Sequence, residues 1–168
     1  MKHKVTQSLN VNVSADKIWQ VLGKYNSLEN YASTVESTSI VGNIESGLGA
    51  KRKNTFYDGS SLIEEVTEYQ QGQGYKMKLS DFSFPLKYMN SEVAVKAIDS
   101  NSCTLFMSTE FVVKAGPFGW LMGLVIMRPM MKNIFKKQMN CLAYYCETGQ
   151  KVNNKLPSSD DLKKLVLG

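Results

Sequence analysis

Histidine is almost missing: His3 is the only one in 168 residues, and it stands at the start of a strand, where exposure is expected. A Ser-His-Asp or Cys-His arrangement is therefore not expected. Cysteine is scarce too. Cys103, Cys141 and Cys146 are odd in number and lack metal-ligand spacing, which argues against a zinc site and fits reduced thiols packed in a core. Gly47-Leu48-Gly49 resembles a phosphate loop only superficially, since it enters a strand and lacks the third glycine and the following helix. The apolar stretch Phe118 to Met127 falls far short of the roughly 20 residues needed to cross a bilayer. Met1-Lys2-His3-Lys4-Val5 runs straight into an alternating strand with no apolar leader segment, so a cytoplasmic location is the expectation. Charge of one sign is weak as well. Against 20 basic residues stand 15 acidic ones, a net +5 spread along the chain without aromatic–basic interleaving, so nucleic-acid binding is not expected. No metal or nucleotide cofactor is expected either. What remains for chemistry is carboxylate, tyrosine and arginine, a set that could support proton transfer in an aldol-type cyclisation or dehydration and little else.

What the chain does have is an ordinary globular composition, 43% hydrophobic and 21% charged, at a length that buries a substantial core in one domain. That domain is expected over residues 1–149. Residues 150–168 read as a polar tail in which Ser158-Ser159-Asp160-Asp161 could cap one short amphipathic turn through Leu162, Leu165 and Val166.

The most informative segment is Arg52 to Glu64, two alternating strands around Tyr57-Asp58-Gly59. With a three-residue loop and Gly59 in the left-handed position, Phe56 pairs with Ser60 and Arg52 stands opposite Glu64. One face then carries Ala50, Arg52, Asn54, Phe56, Leu62, Glu64 and Val66, and the other is solvated, with Lys51 opposite Glu65. A two-residue loop would slip the register and mix Lys51 and Lys53 with Leu62 and Val66. The consistent register puts an arginine and a glutamate on the inward face of a sheet. That marks a ligand cavity better than a sealed core.

Residues 4–13 alternate as a first strand, and Ser14 caps a short helix bearing Ile18, Trp19, Val21 and Leu22, with a second short helix or turn through Tyr25, Leu28 and Tyr31. Strands are expected at 35–42, 49–57, 60–70, 74–81, 87–98 and 102–113, joined by short loops as an antiparallel meander, with a bulge in 87–98. Gly116-Pro117 opens a helical stretch. Pro129 is expected to kink or restart it, giving a short helix near 117–127 and a long one over about 129–148 with Met131, Ile134, Phe135, Gln138, Leu142, Tyr145 and Cys146 on one side. The whole is α+β: a curved antiparallel sheet of six to seven strands wrapped around a long C-terminal helix, with two short helices after the first strand.

This order resembles the helix-grip superfamily (START-like, SRPBCC), and its words resemble the polyketide cyclase/dehydratase-type branch. They are Ser14-Ala15-Asp16-Lys17-Ile18-Trp19, Gly47-Leu48-Gly49-Ala50-Lys51-Arg52, Asp58-Gly59 before Ile63-Glu64-Glu65-Val66, then Tyr75, Pro85, Tyr88 and the closing helix from Arg128-Pro129 to Glu147. The resemblance spans residues 3 to about 149. It departs at Tyr31-Ala32-Ser33, where the family often has Trp and Pro. It implies a deep, mostly apolar cavity between sheet and final helix, with Arg52, Glu64, Tyr75 and Tyr88 at cavity positions. Phe56, Leu62, Met77, Met107, Phe111, Met127, Met131 and Phe135 complete the candidate ligand-binding set, and Met107, Met122, Met127, Met130 and Met131 are candidates for an adaptable wall.

Three readings of Arg52 with Glu64 stay open: an anchor for a ligand headgroup, a general acid with its orienting cation, or a structural pair. The expected function is binding of a small hydrophobic or lipid-like molecule. The enzyme alternative is a cyclase, aromatase or dehydratase using Glu64 as acid/base with Arg52, Tyr75 or Tyr88 in support. A lipid carrier making transient membrane contact through Phe118–Met127 is the third.

Overall fold

Local sequence rules place each element of the structure, a computed structural model that describes residues 2–83 and 85–167. Strand β1 (His3–Val11) is followed by helix α1 (Ala15–Leu22), whose first turn is closed by the Ser14 hydroxyl accepting from the Lys17 N–H, and by a 3₁₀ turn at Leu28–Asn30. The meander then runs β2 (Val35–Ile40), β3 (Lys51–Phe56), β4 (Ser61–Gln70), β5 (Gly74–Ser80), β6 (Leu86–Ala97) and β7 (Cys103–Val113). β1 pairs antiparallel with β7, so the sheet order is β1-β7-β6-β5-β4-β3-β2. Seven strands in this order, curled around a long C-terminal helix, make the helix-grip fold. The anticipated bulge in β6 is present: the register shifts between Leu86 and Tyr88 opposite Val113 and Val112.

The helical segment divides near the expected place, at a π-turn and not at a break. Pro129 does not restart the chain; α2 (Gly116–Met122), a π-turn (Gly123–Met127) and α3 (Arg128–Thr148) run on from one another. Pro129 sits at the head of α3, and the widened turn just before it accommodates a residue with no N–H to donate. α3 buries Met131, Phe135, Met139, Leu142 and Ala143 against the sheet.

One correction concerns His3. It is 4% exposed, stacked on Phe111 (centroids 5.3 Å apart) and beside Trp120 (5.9 Å), and its Nε2 has no hydrogen-bond partner among the described residues. α2 folds over the strand end and covers it. Burial pushes the His3 imidazole below its ordinary pKa, and the Arg128 cation acts in the same direction. Because the folded chain resists protonation more than the unfolded one, this contribution to stability is complete above about pH 6.5 and declines as pH falls through the lower folded value. Thermal melts should show Tm falling on acidification through that window. His3→Phe should flatten the decline, and an unchanged slope would contradict the assignment.

Residues beyond Gly149 dock on the domain. Val152 N–H donates to the Asn30 carbonyl, α4 (Ser159–Leu165) is capped by Ser158, and Leu165 and Leu167 exchange backbone hydrogen bonds with Asn12 and Asn10 beside β1. Val152 and Leu165 are buried.

Candidate functional site

The β3–β4 hairpin turns as its residues dictate. Gly59 has φ +80°, the Phe56 N–H donates to the Ser60 carbonyl, and Arg52 pairs across the ladder with Glu64. Both side chains point inward. Arg52 Nε donates to Glu64 Oε2 at 2.6 Å, Asn54 Nδ2 donates to the same oxygen at 3.0 Å, and Arg52 Nη1 donates to the Tyr25 carbonyl at 2.8 Å. The Tyr25 ring lies over the guanidinium at 4.1 Å, and its hydroxyl donates to the Glu64 backbone carbonyl. Burial works against the guanidinium charge, but Glu64 together with Tyr75, Tyr31 and Tyr25 outweighs it and holds Arg52 above the ordinary arginine range. Tyr25 takes up this position with φ +37°, a conformation few non-glycine residues adopt, so local backbone strain is tolerated to place its carbonyl.

Next to this cluster lies a cavity of about 400 Å³ enclosed by β3–β7 and α3. Ten of the residues proposed from sequence line it: Arg52, Phe56, Leu62, Glu64, Tyr75, Met77, Met107, Met127, Met131 and Phe135. Two do not. Tyr88 lies on the outer side of the β6 bulge, its hydroxyl donating to Glu110 at 2.8 Å with Lys2 near its ring. Phe111 points inward but is sealed beneath His3, outside the cavity. Of the methionines anticipated as wall, Met107, Met127, Met130 and Met131 line the cavity with Met77 and Met89, whereas Met122 does not. Unbranched thioether chains make that wall adaptable in shape.

The polar end is richer than the sequence indicated. Asn54 completes the bonding of Glu64 Oε2; Tyr31 and Tyr75 are both buried at the lining, where desolvation pushes their hydroxyl pKa values up and keeps them neutral donors. Tyr75 packs edge-on to Tyr25 at 5.6 Å, and its hydroxyl has no hydrogen-bond partner among the described residues. Glu64 Oε1 likewise accepts no bond from the described residues and is not sealed off. An acceptor and a donor are thus left over, facing an apolar chamber. Tyr57, Asp58 and Asn154 are exposed members of the lining and mark its open side, next to half-buried Phe82. Among the cysteines, Cys103 and Cys141 are buried, with their thiols pushed up to about 11. Neutral thiols of this kind are poor nucleophiles.

A family model described as polyketide cyclase / dehydrase and lipid transport matches residues 2–147. The chain belongs to this family. Solved structures share its fold at low identity. The XoxI protein from Bacillus cereus is 20% identical, with a TM-score of 0.69 over 83% of this chain and 92% of that one. The Zhui aromatase/cyclase from Streptomyces sp. R1128 is 15% identical, with a TM-score of 0.68 over 88% and 94%. Norcoclaurine synthase from Thalictrum flavum, in complex with dopamine and hydroxybenzaldehyde, is 19% identical, with a TM-score of 0.62 over 84% of each chain. No curated protein sequence matches the chain significantly. At such identities the likeness establishes the fold of this family member and leaves its ligand to the chemistry of its own cavity.

Proposed function

We propose that this protein binds a small hydrophobic or lipid-like molecule whose single polar group is held at the Arg52–Glu64 cluster. One observation carries the reading: a buried ion pair, joined through Arg52 Nε and Glu64 Oε2, retains a second carboxylate oxygen with no partner among the described residues, at the end of a mostly apolar chamber. Burying a guanidinium costs free energy that a sealed apolar core would avoid, so an oxygen left open beside it is best explained by a hydroxyl or amide donor arriving with the ligand. The chamber volume falls in the range of about 300–1,000 Å³ usual for small-molecule sites.

Organic extraction of the purified protein followed by mass spectrometry should yield one apolar species close to stoichiometric with the chain. Titration with the fluorophore 1-anilinonaphthalene-8-sulfonate should show a saturable site that Met131→Trp, which fills the chamber, removes. Absence of both an extracted molecule and a saturable site overturns the reading.

A second reading is favoured by the free Oε1 of Glu64 together with the free Tyr75 hydroxyl, a base and a donor at one end of the same chamber. That pair suits proton transfer in a cyclisation, the kind of reaction named for the aromatase/cyclase relative, or in a dehydration, which the family description names. Turnover of a poly-β-keto thioester, abolished by Glu64→Gln in a protein that still folds, would establish it.

A further inference from the structure

The α2 helix and the π-turn after it are arranged inside out. Gly119 and Gly123 face the body of the protein, so closely that a Cβ on Gly119 would collide with the Lys114 carbonyl and one on Gly123 would lie 2.5 Å from His3 Nε2. Four large residues face solvent instead: Phe118 is 73% exposed, Val125 61%, Ile126 58% and Leu121 51%. A helix that packed for the sake of the core would turn these the other way. Contiguous exposed apolar side chains of this size mark an interaction surface.

The spacing continues along one stripe. Phe118, Leu121 and Val125 are followed on the same exposed side by Pro129, Lys132 and Lys136, so the apolar half passes directly into a cationic half. Between Glu110 and Glu147 the chain has Lys114, Arg128, Lys132, Lys136 and Lys137 and not one acidic residue. Both flanking acids are already engaged, Glu110 by Lys2 at 2.9 Å and Glu147 by Lys17 at 3.0 Å.

We propose that this stripe docks on an anionic lipid surface, with Phe118, Leu121, Val125 and Ile126 entering the headgroup boundary and Lys132 and Lys136 meeting lipid phosphates. Apolar insertion flanked by lysine is the composition that interfacial helices use. A second copy of the chain is a poorer occupant, because a self-complementary contact would bring five cations and no acid of this segment together. No helix among the described residues is long and apolar enough to cross a membrane, so the contact is peripheral. Met127 and Met130, one step along the same helix, line the chamber, which places its wall next to the docked face. The docking stands on the outer residues alone and holds whatever the chamber contains.

Flotation with vesicles tests it. The protein should float with an equal mixture of phosphatidylglycerol and phosphatidylcholine, far less with phosphatidylcholine alone, and less as salt is raised. Lys132→Glu/Lys136→Glu should weaken binding by roughly tenfold or more, and Phe118→Ser/Val125→Ser should remove it, with circular dichroism and fluorophore binding in the chamber unchanged. Failure to float at low salt overturns the proposal. So does flotation indifferent to Phe118→Ser/Val125→Ser, and so does a concentration-dependent dimer, seen by sedimentation, that the same variant dissolves.

Discussion

Glu64→Leu is expected to destabilise the fold by about 3–5 kcal/mol, because it leaves the Arg52 guanidinium buried without its counter-charge. For a chain of this length that corresponds to a fall in Tm of about 6–20 °C. The remaining partners of Arg52, the Tyr25 carbonyl at 2.8 Å and the Tyr25 ring at 4.1 Å, supply a dipole and a quadrupole but no negative charge. Lys51 and Glu65 stand one position over on the outer face, 3.4 Å apart and both more than two-fifths exposed. Removing that pair should cost no more than about 1 kcal/mol, since water screens it. The double replacement Arg52→Met/Glu64→Leu should recover most of the stability lost in the single variant, an apolar pair of similar volume often being as stable as a buried ion pair. It also separates structure from function: the double variant should fold and yet lose the polar selectivity of the chamber. A single-variant loss below about 1 kcal/mol would mean that water reaches Arg52 and that the end of the chamber is wet.

Much of this site was legible because a hairpin is a local object. Turn length, the left-handed glycine and the period of two fix which residues share a face, so the pairing of Arg52 with Glu64 follows from a dozen consecutive residues. Tyr25 was not legible as the partner of Arg52. Its role depends on a strained backbone in a loop 27 residues away, and no periodicity encodes that. Tyr88 was placed in the cavity by the family resemblance; the alternation of β6 sets it on the face opposite buried Met89, Val93 and Val95, and there it bonds Glu110. His3 looked exposed because strand ends usually are, whereas its cover comes from α2, more than a hundred residues along the chain. In α2 itself nearly every residue is apolar, so hydrophobic spacing could not distinguish inside from outside. The usable signal was the interval between Gly119 and Gly123, two small residues one turn apart that permit a close approach of backbone.

That interval leads to the second large effect. Gly119→Ala should lower stability by about 1–3 kcal/mol or somewhat more, although alanine is the better helix former by about 1 kcal/mol. The clash wins because the obstacle is fixed. The new methyl group would meet the Lys114 carbonyl, a backbone atom with no rotamer to change, so α2 must lift away from the end of β7 and uncover His3. Gly123→Ala poses a milder problem: its nearest neighbour is the His3 ring, a side chain that can rotate, with the Val113 methyl behind it at 3.1 Å. It should therefore cost less at neutral pH while weakening the acid sensitivity of Tm, since a displaced His3 is better hydrated and protonates more readily. Urea denaturation of the two variants at neutral and mildly acid pH would read both effects. Equal stability of Gly119→Ala and the parent chain would show that α2 is not seated on β7 as described, and the outward face of Phe118 and Val125 would lose its structural basis with it.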